Sequence, residues 1–215
     1  MAEARAEMLR RIQSALRDVP AAERPGEAPL AREYRRAGAP AGPELIAHFA
    51  ERVAEYKATV QRVPAAELPA AIAAACARRG VRRLVAPPDL PAEWAPAGVE
   101  LLRDDGLTNA QLDESDGVLT GCALGVAQTG TIILDAGPAQ GRRALTLLPD
   151  YHLCVVRADQ VVDLVPEAIA RLAPAVRDAR RPITLISGPS ATSDIELNRV
   201  EGVHGPRTLE VLIAE

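Results

Sequence analysis

The chain has 215 residues, of which 48% are hydrophobic and 25% are charged, and these proportions are typical of an ordinary globular protein. Its length suits one large domain with an appendage better than two full domains. The 25 basic and 29 acidic side chains give a net charge of -4, so no overall basic field favours nucleic acid as a partner. The sequence has neither an apolar run long enough to span a membrane nor the apolar segment of a secretory signal, so we expect a cytoplasmic protein.

The three cysteines and three histidines are dispersed along the chain. Cys76, Cys122 and Cys154 are odd in number and form no C-x-x-C motif, so the sequence predicts neither a disulfide framework nor a zinc or iron–sulfur site. The histidines, at positions 48, 152 and 204, are equally far apart. We therefore expect no metal and no cofactor in this chain.

Residues 1–43 are predicted to form an N-terminal helix and a proline-rich arm. Met8, Ile12 and Leu16 recur at four-residue spacing, which predicts an amphipathic helix over residues 3–18. Prolines then occur at positions 20, 25, 29, 40 and 43, a density that indicates a linker or a wrapping arm. Because a lone amphipathic helix is marginal in water, we expect it to dock on a partner subunit or on a second copy of the chain, as in a homo-oligomer.

Residues 44–215 are predicted to form one α/β domain. Apolar residues at helical spacing predict helices over residues 44–58, 65–79 and 159–173, the second of which ends at Gly80. Short apolar and β-branched runs predict the strands Thr59–Val63, Val81–Ala86, Val99–Leu102, Gly117–Thr120, Thr131–Leu134, Leu153–Val156, Ile183–Ile186 and Leu209–Ile213. Strands that alternate with helices are typical of a mostly parallel sheet with helices on both faces.

Glycine-containing loops are the candidate binding segments, because ligands in open α/β sheets collect beyond the carboxyl ends of strands. The first loop offers small residues and hydroxyls that would let backbone amides approach an anion or a carbonyl oxygen. Its candidate residues are Thr120, Gly121, Gln128, Thr129, Gly130 and Thr131. A tight turn between buried strands explains the same pattern. The second loop, residues 137–143, places Arg142 and Arg143 after two glycines, where they could clamp phosphate or carboxylate or simply be solvated.

The third loop, residues 187–196, lies between a predicted strand and a predicted helix start, where backbone amides attract anions. Its candidate binding residues are Ser187, Gly188, Ser190, Thr192 and Asp194. Ser193 and Glu196 also match a capping box, and we favour that structural role for them. The fourth loop holds His204 between two glycines, where it could act as a catalytic acid or base or be an ordinary hydrogen-bonded loop histidine. We expect the first, third and fourth loops to converge on one site.

Taken together, these segments resemble the lactate-utilization (LUD) domain family. The most specific pieces are Ile186-Ser187-Gly188-Pro189-Ser190, Asp194-Ile195-Glu196 and Gly202-Val203-His204-Gly205-Pro206. The resemblance covers residues 44–215 and implies an α/β fold similar to the sugar-phosphate isomerase and CoA-transferase superfamily. It also implies a non-redox subunit of a bacterial assembly that oxidises L-lactate to pyruvate, with iron–sulfur clusters on partner subunits. The chain alone would then not be a complete oxidoreductase, and its ligand would be a small carboxylate or a phosphorylated molecule.

One residue departs from the family pattern. Family members usually carry a glutamate where this chain has Gln128, and CoA-transferases of similar fold use a glutamate in a comparable setting as nucleophile. An amide cannot form the acyl anhydride, but it can hydrogen-bond a substrate oxygen. Two alternatives stay open: a free-standing isomerase-fold or transferase-fold enzyme acting on a small phosphorylated or CoA-linked acid, and a regulatory or scaffolding protein with a vestigial pocket.

Overall fold

The computed structural model describes residues 2–20, 31, 33–38, 41–192, 200–202 and 204–215. The chain divides into two compact units, Met1–Tyr34 and Arg35–Glu215. The first unit contains helix α1, Ala2–Ala15, where the sequence predicts a helix. Most of the predicted proline-rich arm falls outside the described residues. No helix in the described part of the chain is long and apolar enough to cross a membrane.

The second unit alternates strands and helices. Its helices are α2 Pro43–Glu55, α3 Leu68–Arg79, α4 Asn109–Asp113 and α5 Val165–Arg177. The strands are β1 Thr59–Val63, β2 Arg83–Ala86, β3 Glu100–Arg103, β4 Gly117–Thr120, β5 Leu124–Val126, β6 Thr131–Leu134, β7 Tyr151–Arg157, β8 Val161–Val162, β9 Thr184–Ile186, β10 Ala191–Thr192, β11 Val200–Glu201 and β12 Thr208–Ala214.

The large sheet contains six strands in the order β1-β12-β7-β4-β2-β3, and every pairing in it is parallel. Its central strands β7 and β12 are almost entirely buried, because both faces of the sheet are covered. One face packs against α3 through Ile72, Leu153 and Leu212. The opposite face packs against α2 and the second sheet through Phe49 and Ile213. The predicted α/β class with a mostly parallel sheet is therefore confirmed.

A second sheet, in the order β8-β5-β6-β9, is not anticipated by the sequence patterns. The predicted strands Thr131–Leu134 and Ile183–Ile186 lie in this sheet as β6 and β9, paired antiparallel, and not in the parallel sheet. The physical reason is the connection, because the turn Ala127–Gly130 between β5 and β6 is far too short for a parallel crossover. Helix α5 covers the outer face of this sheet through Ala168 and Leu172.

The predicted helix over residues 159–173 is wrong at its start. Val161 and Val162 form β8 instead, paired parallel with β5, and both are buried there. Their β-branched side chains favour the extended conformation over a first helical turn. Helix α5 begins at Val165, with a proline in its first turn that suits a helix start, and continues to Arg177.

Candidate functional site

A cavity of about 210 Å³ brings together two of the predicted loops. The loop after β9 contributes Ser187 and Ser190, and the loop before β12 contributes His204. The remaining polar lining residues are Arg143, Thr146, His152 and Thr184. We call this cavity the serine–histidine pocket.

The serine–histidine pocket lies at the amino ends of the central strands. His152 and Leu209, both in its lining, are the second residues of β7 and β12. The sequence-based expectation of a site beyond the carboxyl ends therefore does not hold for this pocket. The cause is a contact between the loop after β9 and the residues before β12, where the Ser190 amide donates to the Pro206 carbonyl at 2.8 Å.

Ser190 and His204 are joined directly. The backbone N–H of His204 donates to Ser190 Oγ at 3.0 Å, which fixes the serine hydroxyl on the pocket wall. The carbonyl of His204 accepts a 3.1 Å hydrogen bond from Arg143, while the His204 residue itself is exposed. The Ser190 amide is already occupied by Pro206, so it is not the free anion donor that the sequence suggests. The loop after β9 therefore contributes the side chains of Ser187 and Ser190 to the pocket lining.

Arg143 is the charged group of the pocket. Its guanidinium also donates to Thr146 Oγ1 at 3.2 Å, and burial lowers its pKa. Among the described residues, no lining residue of the pocket is acidic and no carboxylate forms an ion pair with Arg143. A half-buried guanidinium with no carboxylate partner in the described part of the chain, surrounded by hydroxyls, is suited to bind an anion.

His152 forms a hydrogen bond with the buried side chain of Thr120. Thr120 Oγ1 lies 2.8 Å from His152 Nε2, and both residues are fully buried. Cys154, two residues further along β7, lies 4.0 Å from the same hydroxyl. The hydrogen bond with Cys122, together with those of His152 and Thr120, lowers the pKa of Cys154, while the contact with Cys154 and burial raise the pKa of Cys122. Thr120 thus supports the pocket without lining it.

A chain of hydroxyls leads from the hairpin turn to the pocket. Thr129 Oγ1 lies 2.8 Å from Thr131 Oγ1, which in turn lies 2.8 Å from Ser187 Oγ. Gly130 adopts a φ of +57° and packs so closely on α2 that a Cβ would lie 2.6 Å from the Arg52 carbonyl. The Thr129–Thr131 segment is therefore a tight turn that positions Ser187.

Three predicted site residues lie elsewhere. Gln128 is exposed in the hairpin turn, where its backbone N–H donates to the backbone carbonyl of Asp163 at 3.0 Å. Arg142 forms a 2.7 Å ion pair with Asp104 and lowers the pKa of that carboxyl, so it does not line the pocket. Gly121 lies in the wall of a different cavity.

The rest of the third loop differs from its predicted form. Gly188 lines the pocket with a φ of +85°, but a Cβ there would lie 2.5 Å from Tyr56 Cβ, so packing already requires the glycine. Thr192 lies in β10, paired antiparallel with β11, where the sequence predicts the approach to a helix start. Its side chain, Asp194, and the capping-box residues Ser193 and Glu196 lie outside the described residues.

Three polar lining residues, His152, Thr146 and Thr184, are not anticipated from the sequence. Arg143 is one of the two adjacent arginines that the sequence offers as a possible clamp, but the sequence contains no signal that distinguishes which guanidinium faces the pocket. His152 has a usable signal, because it is a histidine next to the apolar run Leu153–Val156. Thr146 and Thr184 have none. Within the described residues, no group of three or more His, Cys, Asp or Glu side chains could hold a metal ion.

Comparison with known proteins identifies the family. The sequence model of the LUD domain matches residues 104–214, slightly more than half of the chain. The chain belongs to the LUD domain family. A protein named lactate utilization protein C from Deinococcus radiodurans is 48% identical over 99% of this chain and 96% of its own length. A protein of the same name from Bacillus pumilus is 40% identical over 41% of this chain and 38% of its own length.

A solved structure supports the fold of this LUD domain protein. The crystal structure of a DUF162 family protein from Deinococcus radiodurans has a TM-score of 0.70 to this chain and is 46% identical in sequence. The match covers 80% of this chain and 97% of the other. The α/β architecture described above is therefore shared with an experimentally determined relative.

Proposed function

We propose that this chain is a non-redox subunit of a cytoplasmic bacterial assembly that oxidises L-lactate to pyruvate. The support comes from LUD domain membership and from relatives named for lactate utilization. In this proposal the iron–sulfur clusters reside on partner subunits, and this chain carries no cofactor of its own. Its contribution to the assembly is to bind a small carboxylate.

The serine–histidine pocket is the proposed binding site, and Arg143 is the observation that carries this proposal. Arg143 forms no ion pair with a described carboxylate and is partly desolvated, so a ligand carboxylate would form a charge-assisted bond with it that none of the described carboxylates forms. The cavity volume of about 210 Å³ lies below the range of roughly 300–1,000 Å³ typical of sites for drug-sized ligands. A three-carbon hydroxy acid or keto acid suits a pocket of this size.

The hydroxyl and imidazole groups would orient the rest of the ligand. Ser187 and Ser190 present Oγ atoms that can donate to or accept from a hydroxyl or keto oxygen. His204 lies at the exposed side of the pocket, where its ring can hold or exchange a proton with the ligand hydroxyl. The carboxylate would lie against Arg143, and the oxygen on the second carbon would lie against the serines and the histidine.

Calorimetric titration of the purified chain with L-lactate and pyruvate tests the binding proposal. We expect Arg143→Gln to weaken binding by at least about tenfold, because a charge-assisted bond is lost. Arg207→Gln is the matched control, since Arg207 is an exposed arginine in the neighbouring loop that pairs with Asp150 and lies outside the pocket lining. Equal affinities in the two variants, or no binding by the wild-type chain, would contradict the proposal.

The role as a non-redox subunit has a separate test. We expect the purified chain to give no lactate-dependent dye reduction and to co-purify from its host with subunits that carry cysteine motifs for iron–sulfur clusters. Hydride or electron transfer needs a carrier, and the sequence contains neither a cluster-ligand motif nor a dinucleotide-binding glycine motif. Lactate-dependent dye reduction by the isolated chain would overturn this assignment.

We also propose that the fold of this chain is similar to that of the sugar-phosphate isomerase and CoA-transferase superfamily. The alternative of a free-standing transferase would require a nucleophile near a bound acyl group. Gln128, the position suggested by analogy, is exposed in a hairpin turn and lines neither the serine–histidine pocket nor the cavity that contains Gly121. Covalent chemistry at this position therefore gains no support from the geometry.

A further inference from the structure

A second cavity, of about 470 Å³, lies at the carboxyl edge of the large sheet. Asp89 follows β2, Gly121 and Cys122 follow β4, and Arg157 ends β7, and all of them line this cavity. Ligands of open parallel sheets bind at this edge. The cavity shares no lining residue with the serine–histidine pocket. We call it the arginine cavity.

Three arginines from different elements line the arginine cavity. Arg157 ends β7, Arg171 belongs to α5, and Arg181 precedes β9. Arg157 is exposed and pairs with Asp159, which is also exposed, at 3.1 Å, an interaction that solvent weakens. Arg171 is exposed to the cavity and forms no ion pair with any described carboxylate.

The two carboxylates in the lining are already engaged by the protein. Asp135 accepts hydrogen bonds from the Gln140 side chain at 2.8 Å and from the Gly137 amide at 3.0 Å, and it pairs with Arg181 at 3.2 Å. Asp89 accepts from the Ala139 amide at 2.9 Å. These contacts hold both carboxylates in the cavity wall. The described lining contains three arginines and two aspartates, so its net charge is positive and favours an anion.

Arg181 has a buried hydrogen-bond donor without a partner among the described residues. Its Nε is buried and has no hydrogen-bond partner among the described residues, although its terminal nitrogen pairs with Asp135. A buried donor without an acceptor is rare and destabilising, because it has lost its bonds to water. Because the Nε atom itself is buried, a ligand in the cavity would contact the exposed part of the Arg181 guanidinium, whose side chain is 34% accessible.

We propose that the arginine cavity binds an organic phosphate. A carboxylate presents two oxygens in one plane, whereas a phosphate presents acceptors in several directions and can meet guanidinium groups from three elements at once. The volume lies within the roughly 300–1,000 Å³ typical of sites for organic ligands, which leaves room for an organic body beside the phosphate. This site is independent of the carboxylate proposed for the serine–histidine pocket.

Trp94 allows a direct measurement. It is the single tryptophan of the chain and lines the arginine cavity, so its fluorescence is a probe at this site. The probes are inorganic pyrophosphate and glucose 6-phosphate, with glucose as the uncharged control. We expect both phosphates to change Trp94 fluorescence with saturation below about 10 mM and glucose to have no effect.

Two arginines of α5 form a matched pair for mutation. Arg171→Gln should weaken phosphate binding by about tenfold, as should Arg157→Gln, because each removes a charged donor from the cavity. Arg177→Gln removes the same charge from the same helix, outside the cavity lining, and should change the affinity by less than about twofold. Arg143→Gln should also leave phosphate binding intact, so a failure of the serine–histidine pocket is distinguishable.

Three outcomes would overturn the proposal. The first is that neither phosphate changes Trp94 fluorescence in the wild-type chain. The second is that Arg171→Gln and Arg157→Gln, shown to be folded by circular dichroism, bind as tightly as the wild type. The third is that Arg177→Gln weakens binding as much as Arg171→Gln, which would indicate a general charge effect and not a site.

Discussion

Thr120 Oγ1 and His152 Nε2 lie 2.8 Å apart, and both residues are fully buried. The two residues belong to adjacent parallel strands, β4 and β7, so the sheet register sets their separation. Because His152 also lines the serine–histidine pocket, this contact connects the core of the domain to the proposed site.

Replacing Thr120 with valine should destabilise the fold. Valine has nearly the same shape but leaves His152 Nε2 without its partner in a buried position, which costs about 1–3 kcal/mol in the free energy of unfolding. Urea denaturation measures the change. Thr129→Val is the control, because its hydroxyl contact with Thr131 is only partly buried and should cost less than about 1 kcal/mol. Equal losses in the free energy of unfolding for the two variants would show that the buried contact between Thr120 and His152 contributes no more than the partly buried one.

Gly188 should be required for packing as well as for its backbone conformation. Both Gly188, at a φ of +85°, and Gly98, at +78°, lie in the left-handed region. Gly98→Ala meets no atom within 4 Å, so it should lose only about 1 kcal/mol from the unfavourable φ. Gly188→Ala places a Cβ 2.5 Å from Tyr56 Cβ, so we expect a clearly larger loss in thermal stability. Similar losses in thermal stability for Gly98→Ala and Gly188→Ala would contradict the close contact between Gly188 and Tyr56.

Gly188 is therefore a poor position for testing ligand binding. A valine there would disturb the contact with Tyr56 before it blocked any approach of a ligand. Arg143 is the better position, because its guanidinium bonds only a threonine hydroxyl and a backbone carbonyl among the described residues. Mutation of Arg143 separates binding from folding more cleanly.

Glu210 should make the fold sensitive to acid. Burial raises the pKa of Glu210, but hydrogen bonds from Arg79, Arg78 and Tyr151 together outweigh it, so that the pKa lies below the ordinary 4.5. A carboxyl with a lowered folded-state pKa contributes stability that is complete above its unfolded pKa and is lost as the pH falls through the folded value. We expect the free energy of unfolding to fall below about pH 4.5 for this reason.

Glu210→Gln measures that contribution. The variant should be less stable than the wild type at pH 7, and the difference should shrink as the pH falls below the ordinary carboxyl pKa. Glu100→Gln is the control, since its 3.3 Å pair with Arg83 is exposed and should contribute less than about 1 kcal/mol. A difference between wild type and Glu210→Gln that stays constant with pH would contradict the assignment.

The predicted boundary at residues 43/44 can be tested by truncation. The Gly38 amide donates to Glu167 Oε1 at 2.8 Å within the second unit, so residues near 38 already belong to the α/β domain. We expect a chain of residues 35–215 to fold with the thermal stability of the full chain. A chain of residues 44–215 should fold with a loss of about 1 kcal/mol for the missing hydrogen bond. An unfolded 35–215 chain would show that the N-terminal helix is part of the core.

The sequence predicts the parallel core of the domain well, because its buried strands are short runs of β-branched and aliphatic residues. The run Leu153–Val156 marks β7, and the run Leu209–Ile213 marks β12. The second sheet is harder to predict, since it depends on pairings between distant segments. Val161 of β8 follows a helical spacing that also includes Leu164 and Ala168, so periodicity alone assigns this segment to a helix.

The candidate site is only partly predictable for a similar reason. Ser187, Ser190 and His204 are recognisable by their glycine-rich loops, and the structure brings them into one pocket. Arg143 and Arg142 are equivalent in sequence, and only the tertiary contact with Asp104 removes Arg142 from consideration. Which edge of the sheet the loops occupy is likewise set by long-range folding and not by local pattern.

The central claim is that Arg143 holds a small carboxylate in the serine–histidine pocket. A crystal structure of the chain soaked with L-lactate tests it most directly. We predict that the lactate carboxylate lies within about 2.7–3.0 Å of the Arg143 guanidinium, with the lactate hydroxyl facing Ser187, Ser190 or His204. Lactate bound at another position, or a pocket that stays free of lactate when the ligand saturates the crystal, would contradict the claim.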